Sequence, residues 1–263
     1  MKYILITGAY GGIGRSTAEL LSKHGYTVLA LDKRVEEGKE KIIPLKADLC
    51  DPDSIKEAFD RVKEITDELY AIIHFAGIYM LDSLVEINEA DLRRIFDINF
   101  FGAFNINKTF IPLLKKGSRI IMTTSELAPL DPLPFTGIYA VTKAALDNYA
   151  YSLAMELQLL GIGVSVLRAG AVATDMLGAS TDALESFCEK TELYNCNAKR
   201  FKAIVNRVEA RNISTDKIAA RINKILHKKR PKFACSINRN PLLLMLDILP
   251  KQLQLRIIKQ ILK

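Results

Sequence analysis

An apolar stretch, Tyr3 to Thr7, runs straight into Gly8-Ala9-Tyr10-Gly11-Gly12-Ile13-Gly14, and a helical pattern over residues 16–24 follows without a break. A short buried strand that turns on glycines into a helix leaves few folds open. Glycines there allow a tight turn, a close backbone approach to a pyrophosphate, and close packing of the helix on the strand; the helix N-terminus then faces the phosphates. Alone, such a stretch is often only a glycine-rich turn. Here a second strand, residues 27–31, ends in Asp32, eighteen residues after Gly14, where a carboxylate can accept hydrogen bonds from an adenosine ribose. Strand, glycine turn, helix, strand and acid in that order predict dinucleotide binding.

The rest of the chain continues the alternation. Candidate strands fall at residues 3–7, 27–31, 42–47, 71–75, 119–123, 163–168 and 232–237, with helical patterns between them that include 53–66, 91–114, 139–160 and 215–227. No internal repeat is visible. This alternation predicts an α/β fold with a doubly wound parallel sheet. At 263 residues, 49% of them apolar and with a mean hydropathy of +0.10, the chain can supply one sizeable core.

Tyr139 and Lys143 stand four apart, in the helical pattern over residues 139–160, and Ser125 lies fourteen residues upstream of Tyr139, just beyond the apolar run Ile120 to Met122. A spacing of four puts both side chains on one helix face, so a Lys143 ammonium can favour the ionised form of the Tyr139 phenol. Such pairs also occur on many solvated helix faces. Following a dinucleotide-type N-terminus, the pair reads as a proton donor and acceptor beside a cofactor.

With these residues in view, the chain resembles the single-domain branch of the short-chain dehydrogenase/reductase superfamily. Thr7-Gly8-x-x-x-Gly12-Ile13-Gly14 matches its cofactor motif, Asp48-Leu49 the pair that contacts adenine, and Ala76-Gly77 the end of its Asn-Asn-Ala-Gly motif. Asn99, Ser125, Tyr139 and Lys143 match its four active residues, and Val172 and Thr174 stand where the family meets the nicotinamide carboxamide. The resemblance implies a Rossmann-like fold and hydride transfer between a nicotinamide cofactor and an alcohol or ketone. In it Tyr139 donates the proton, Ser125 holds the substrate oxygen, Lys143 lowers the Tyr139 pKa and binds the nicotinamide ribose, and Asn99 keeps a water for a proton path. It also implies a homodimer or tetramer built on the helices over 91–114 and 139–160.

Three departures stand out. His74-Phe75 replaces Asn-Asn, Ala169 replaces the usual proline in Arg168-Ala169-Gly170, and Asp131-Pro132-Leu133-Pro134 lengthens the loop between Ser125 and Tyr139 by about one residue. None removes a reacting group. Gly8-x-x-Gly11-x-x-Gly14 also fits the extended branch with its nucleotide-sugar epimerases and dehydratases, but only about 87 residues follow Met176. A non-catalytic dinucleotide-binding regulator is a third reading, disfavoured because all four active residue types are present. NADH consumption with a panel of ketones separates it from an enzyme.

Cofactor choice rests on Asp32, whose carboxylate accepts from the ribose hydroxyls of NAD and repels the 2′-phosphate of NADP. Lys33 and Arg34 pull toward NADP, but a directed carboxylate outweighs two solvated cations. NAD is expected, with NADP as the alternative.

The net charge of +7 is scattered until His227-Lys228-Lys229-Arg230-Pro231-Lys232 and the last residues, and no nucleic-acid docking motif accompanies it, so nucleic acid is not an expected partner. His24, His74 and His227 lack metal-ligand spacing, and no metal is assigned; packing is favoured over cofactor contact for His74. Cys50, Cys188, Cys196 and Cys235 have no CxxC spacing and read as reduced thiols. No targeting segment and no run of about 18 apolar residues is visible, which predicts a cytoplasmic protein.

Residues 1–240 are expected to form the dinucleotide-binding and catalytic domain, with a lid at about 176–211 carrying Leu177, Leu184, Phe187, Leu193, Tyr194 and Phe201. Residues 241–263 form an amphipathic extension. In its last part Leu253, Ile257 and Ile261 recur every four residues among Lys and Arg, a basic amphipathic helix that packs as a lid or touches a membrane periphery. Tails of this kind are similar to those of family members acting on steroids, retinoids and other lipids, so a bulky apolar alcohol or ketone is the expected substrate.

Overall fold

Strands buried on both faces read as continuous Ile, Leu and Val runs, and their alternation sorts side chains to the two sides. The computed structural model describes residues 1–209 and 211–263, without the side chains of 175–177, 179, 180 and 206–209. The strands are β1 (Tyr3–Thr7), β2 (Thr27–Asp32), β3 (Ile42–Lys46), β4 (Leu69–His74), β5 (Leu114–Ser125), β6 (Gly163–Ala169) and β7 (Ala234–Ile237). They form one parallel sheet in the order β3-β2-β1-β4-β5-β6-β7. The helices are α1 (Gly12–Lys23), α2 (Pro52–Ile65), α3 (Glu89–Phe96), α4 (Gly102–Phe110), α5 (Gly137–Leu157), α6 (Asp175–Lys190), α7 (Asn195–Glu209), α8 (Thr215–His227), α9 (Pro241–Asp247) and α10 (Lys251–Leu262).

Leu5, Leu29, Ile72, Ile120 and Val164 face one side, where α2, α4 and α5 bring Val62, Phe110 and Leu146 against them. Their neighbours Ile4, Val28, Ile73, Ile121 and Leu167 face the other, against Ala18 and Leu21 of α1 and Ile218 and Ile222 of α8. The expected doubly wound α/β, Rossmann-like sheet is what the chain forms. Strand order reverses between β1 and β4, so the carboxyl ends of these strands open a crevice for ligand.

Two elements differ from expectation. The helix expected over 91–114 is divided: Asn88 caps α3 by accepting the Asp91 N–H, a π-helical segment (Asp97–Phe101) follows, and Ile111–Leu113 is a 3₁₀ turn. The π segment widens the helix where Asn99 turns inward to bind backbone, which periodicity does not reveal. β5 starts five residues early, at Leu114, because a register shift opposite Leu69 and Ala71 and Gly117 at φ +96° carry the strand through an irregular start.

The region expected as a lid is the helical pair α6 and α7. Leu184, Phe187 and Phe201 are buried there with Phe135, while Leu193 is exposed; the Leu177 side chain lies outside the described residues. Leu262 of α10 packs in the same cluster, and Asn197 donates to its carbonyl at 2.6 Å.

Candidate active site

The crevice is shaped first by what glycine omits. Gly8 takes φ +66°, and a Cβ there would lie 2.6 Å from the Ala76 nitrogen. Gly14 would place a Cβ 2.0 Å from the Gly8 carbonyl oxygen, so the helix can close on the turn only without a side chain. A Cβ on Gly12 would meet Thr174 Cγ2 at 3.0 Å, and one on Gly77 would meet Asn99 Oδ1 at 3.0 Å and Lys143 Nζ at 3.3 Å. The glycine turn, Ala76-Gly77, Asn99, Lys143 and Thr174 therefore share one cleft.

At the outer end of β2, Asp32 Oδ2 accepts the Tyr10 N–H at 3.1 Å and Oδ1 the Arg34 N–H at 3.3 Å, so this carboxylate braces the glycine turn. Lys33 is not a free cation. Its Nζ donates to Asp48 Oδ2 at 2.6 Å, and that ion pair holds the Asp48 carboxyl below the usual range. Leu49 packs against Gly102 at the start of α4. Arg15, one turn into α1, pairs with Glu36.

At the inner end, Asn99 is buried, with Oδ1 accepting the Ile78 N–H at 2.8 Å while Nδ2 donates to the Ile78 carbonyl at 3.0 Å and to Thr142 Oγ1 at 3.1 Å. Ser125 ends β5, and its Oγ accepts the Leu127 N–H at 3.1 Å. The Tyr139 ring leans on Tyr79, centroids 4.9 Å apart. Burial pushes the Tyr139 phenol up to about 12, a hydrogen bond with Ser125 opposing this, and burial pushes Lys143 down to about 8. The expectation that Lys143 holds the phenol low is thus reversed in this structure. Desolvation acts on both groups, and Lys143 Nζ sits 5.7 Å from the ring centroid.

A cavity of about 260 Å³ joins these groups. Ser125, Tyr139 and Lys143 line it together with Ile13, Val172 and Thr174 and with the apolar Leu127, Leu133, Phe201, Ile204, Val205 and Leu243. Asp32, Asp48 and Leu49 lie outside it. Leu243, from the C-terminal extension, and Tyr79 are wall residues that periodicity had not marked.

Glu126, the residue after Ser125, also lines the cavity and was not anticipated. Burial raises its carboxyl, and Oε2 accepts the Asn240 N–H at 2.6 Å, which moors the start of α9. His74 does not reach the cavity. It is buried and bonded through Nε2 to Asn107 Oδ1 at 2.9 Å.

A nicotinamide dinucleotide fits these residues. The glycine cradle leaves space at the α1 N-terminus, and among the described residues buried Lys143 has one long hydrogen bond, 3.5 Å to the Thr123 carbonyl, leaving an ammonium suited to ribose hydroxyls. The profile described as "short chain dehydrogenase" matches residues 2–185. The chain belongs to the short-chain dehydrogenase/reductase family.

It is 34% identical over 190 residues to estradiol 17-beta-dehydrogenase 2 of Mus musculus, covering 68% of this chain and 50% of that protein. It is 32% identical over 192 residues to NADPH-dependent 1-acyldihydroxyacetone phosphate reductase of Schizosaccharomyces pombe (strain 972 / ATCC 24843), covering 69% and 65%. The match thus spans half to two thirds of these relatives' length. Among solved structures, a short chain dehydrogenase family protein from Francisella tularensis subsp. tularensis SCHU S4 superimposes with a TM-score of 0.76 at 23% identity, over 90% of this chain and 97% of that one.

Proposed function

We propose that this enzyme transfers hydride between NAD and a bulky, apolar alcohol or ketone, such as a hydroxysteroid or another lipid. The cavity carries this reading, because the lining that holds Ser125, Tyr139 and Lys143 is mostly apolar surface, with Leu127, Leu133, Phe201, Ile204, Val205 and Leu243 contributing to it. When bound, the dinucleotide supplies or accepts the hydride. Glycines 8, 12 and 14, with Ile13, would hold its pyrophosphate at the α1 N-terminus, Asp32, Asp48 and Leu49 its adenosine end, and Ala76, Gly77, Lys143, Val172 and Thr174 its nicotinamide end.

In reduction the Tyr139 phenol donates its proton to the developing alkoxide, while Ser125 Oγ hydrogen-bonds that oxygen and holds it in reach. A phenol near 12 is protonated at neutral pH, the form that reduction needs. Lys143 refills the proton, and Asn99 would keep a water in place for the path from Lys143 to solvent. A sugar epimerase is disfavoured, since most of the exposed lining surface is apolar, although Thr123, Thr124, Glu126 and Thr136 also reach it.

A screen of steroids, fatty and aromatic ketones, and sugars with NADH tests the substrate class. Turnover that favours polar sugars over every apolar ketone would overturn it. Within the favoured class, Leu243→Ala is expected to raise KM for a bulky apolar ketone about tenfold and to leave a small ketone near its wild-type value, because lost pocket methylenes weaken only a ligand that reaches them. Equal effects on both ketones would remove Leu243 from the pocket wall.

The NAD preference is supported by the ion pairs that hold Lys33 on Asp48 and Arg15 on Glu36, which leave Asp32 as the directed charge. One relative's name carries NADPH, so the test is needed. Asp32→Asn keeps an acceptor for the Tyr10 N–H and removes the charge. It is expected to move the NAD to NADP ratio of kcat/KM at least about tenfold toward NADP, one directed charge being worth over 1 kcal/mol there. An unchanged ratio would strike Asp32 from cofactor choice.

A homo-oligomer belongs to the same proposal, supported by exposed Phe101, Phe104, Val141, Tyr151 and Met155 on the π segment, α4 and α5. So does a cytoplasmic setting, supported by four unpaired thiols, with residues 241–263 as the place for peripheral membrane contact. Among the described residues no helix is long and apolar enough to cross a membrane.

A further inference from the structure

We infer that residues 239–263 are a docking surface for an anionic lipid bilayer, with the mouth of the cavity held against the lipid; this deepens the apolar-substrate proposal and rests on it. Helix α9 has two apolar sides. Leu243 lines the cavity and Leu246 a small void beside it, while Leu242, Met245 and Ile248, three residues apart along the other side, are 65%, 66% and 82% exposed. Single exposed apolar residues are ordinary, but a row of three beside a pocket is not. In α10, Leu262 and Gln254 are buried while Leu255 and Ile261 are exposed. Ile204 of α7 lines the cavity and is itself exposed, so the cavity reaches the surface beside these helices.

Charge identifies the occupant. From residue 239 on there are five cations, Arg239, Lys251, Arg256, Lys259 and Lys263, against one acid, Asp247, which is +4 of the chain's formal +7. That acid is turned inward and accepts the Asp131 N–H at 2.9 Å. Lys251 pairs with Asp131, whereas Arg256, Lys259 and Lys263 make no ion pair among the described residues. A second copy would set +4 against +4 across the same apolar row, and a neutral apolar peptide would leave the cations unused. An anionic bilayer accepts both, burying the row among acyl chains with the cations at the headgroups. An apolar ketone dissolved in that bilayer then reaches Tyr139 through the mouth beside Ile204 and Leu243.

Flotation with phosphatidylcholine vesicles, with and without phosphatidylserine, tests the surface using the full chain. The wild type is expected to float with phosphatidylserine vesicles at low salt and to lose most of that binding at high salt. Met245→Ser with Ile248→Ser should abolish flotation. Arg256→Gln with Lys259→Gln should weaken it about 30-fold, the conversion of about 1 kcal/mol per cation. All four positions are exposed and none touches the cavity, so turnover of a water-soluble ketone without vesicles should stay at the wild-type rate in both variants.

A wild type that stays in the aqueous layer overturns the inference, as does flotation that neither variant changes. So does a serine variant that turns an oligomer into a monomer by light scattering, because the face is then a subunit contact. Absence of ketone turnover in the wild type would instead remove the proposed function, and flotation reads independently of it.

Discussion

Tyr139→Phe is expected to lower kcat for ketone reduction by about 10²- to 10⁴-fold, the usual contribution of one general acid, while NADH binding stays within about threefold. The ring keeps its place against Tyr79 and stays buried, so only the hydroxyl and its bond with Ser125 are lost. Stability should therefore change little, which separates loss of chemistry from loss of fold. The phenol's position near 12 adds a pH signature: reduction by the wild type should be flat through neutral pH, and oxidation, which needs the phenolate, should climb with pH on the alkaline side. Single-turnover rates with NADH fluorescence titrations measure both. A variant keeping more than a tenth of wild-type kcat would show that another group donates the proton.

Much of this site was legible because it follows from local patterns. The glycine turn is a backbone requirement, and Gly8 and Gly14 meet backbone atoms that leave no room for a Cβ. Asp32 was placed by counting from Gly14, and Tyr139 and Lys143 by helical spacing. The sheet was legible for a similar reason, since strands such as Ile4 to Ile6 and Ile120 to Met122 are buried on both sides and stay apolar throughout.

What was not legible depends on residues distant in sequence. Leu243 lines the cavity together with Leu133, more than a hundred positions away, and no periodicity marks that shared lining. The π segment at Asn99 arises because Ile78, twenty-one residues earlier, captures its amide. Protonation follows the same rule: spacing suggested that Lys143 acidifies Tyr139, but the balance between charge and burial is set by everything packed around the pair.

His74 brings burial and titration together in the second large effect. Asn107 donates through Nδ2 to the Tyr149 hydroxyl at 3.3 Å, so its oxygen faces His74 and the imidazole must donate from Nε2. Nδ1 is then the unprotonated nitrogen, and it is buried without a partner. A proton added there would place a charge in an apolar core, which is why burial pushes His74 from 6.5 down to about 4, against the opposing hydrogen bond with Asn107. Between those values the unfolded chain binds a proton that the folded chain refuses. Stability from this residue is accordingly complete above pH 6.5, falls as pH drops through 6.5, and levels off below about 4. The loss by pH 4.5 is about 2–3 kcal/mol, a large share of a typical domain's total. His74→Gln places an amide N–H where Nε2 stood, so it can still donate to Asn107 yet cannot titrate. Urea unfolding midpoints from pH 7.5 to 4.5 should therefore fall more steeply for the wild type than for the variant, with the difference growing below pH 6.5. Parallel pH profiles for the two proteins would mean that His74 takes up its proton as readily in the fold as in the unfolded chain.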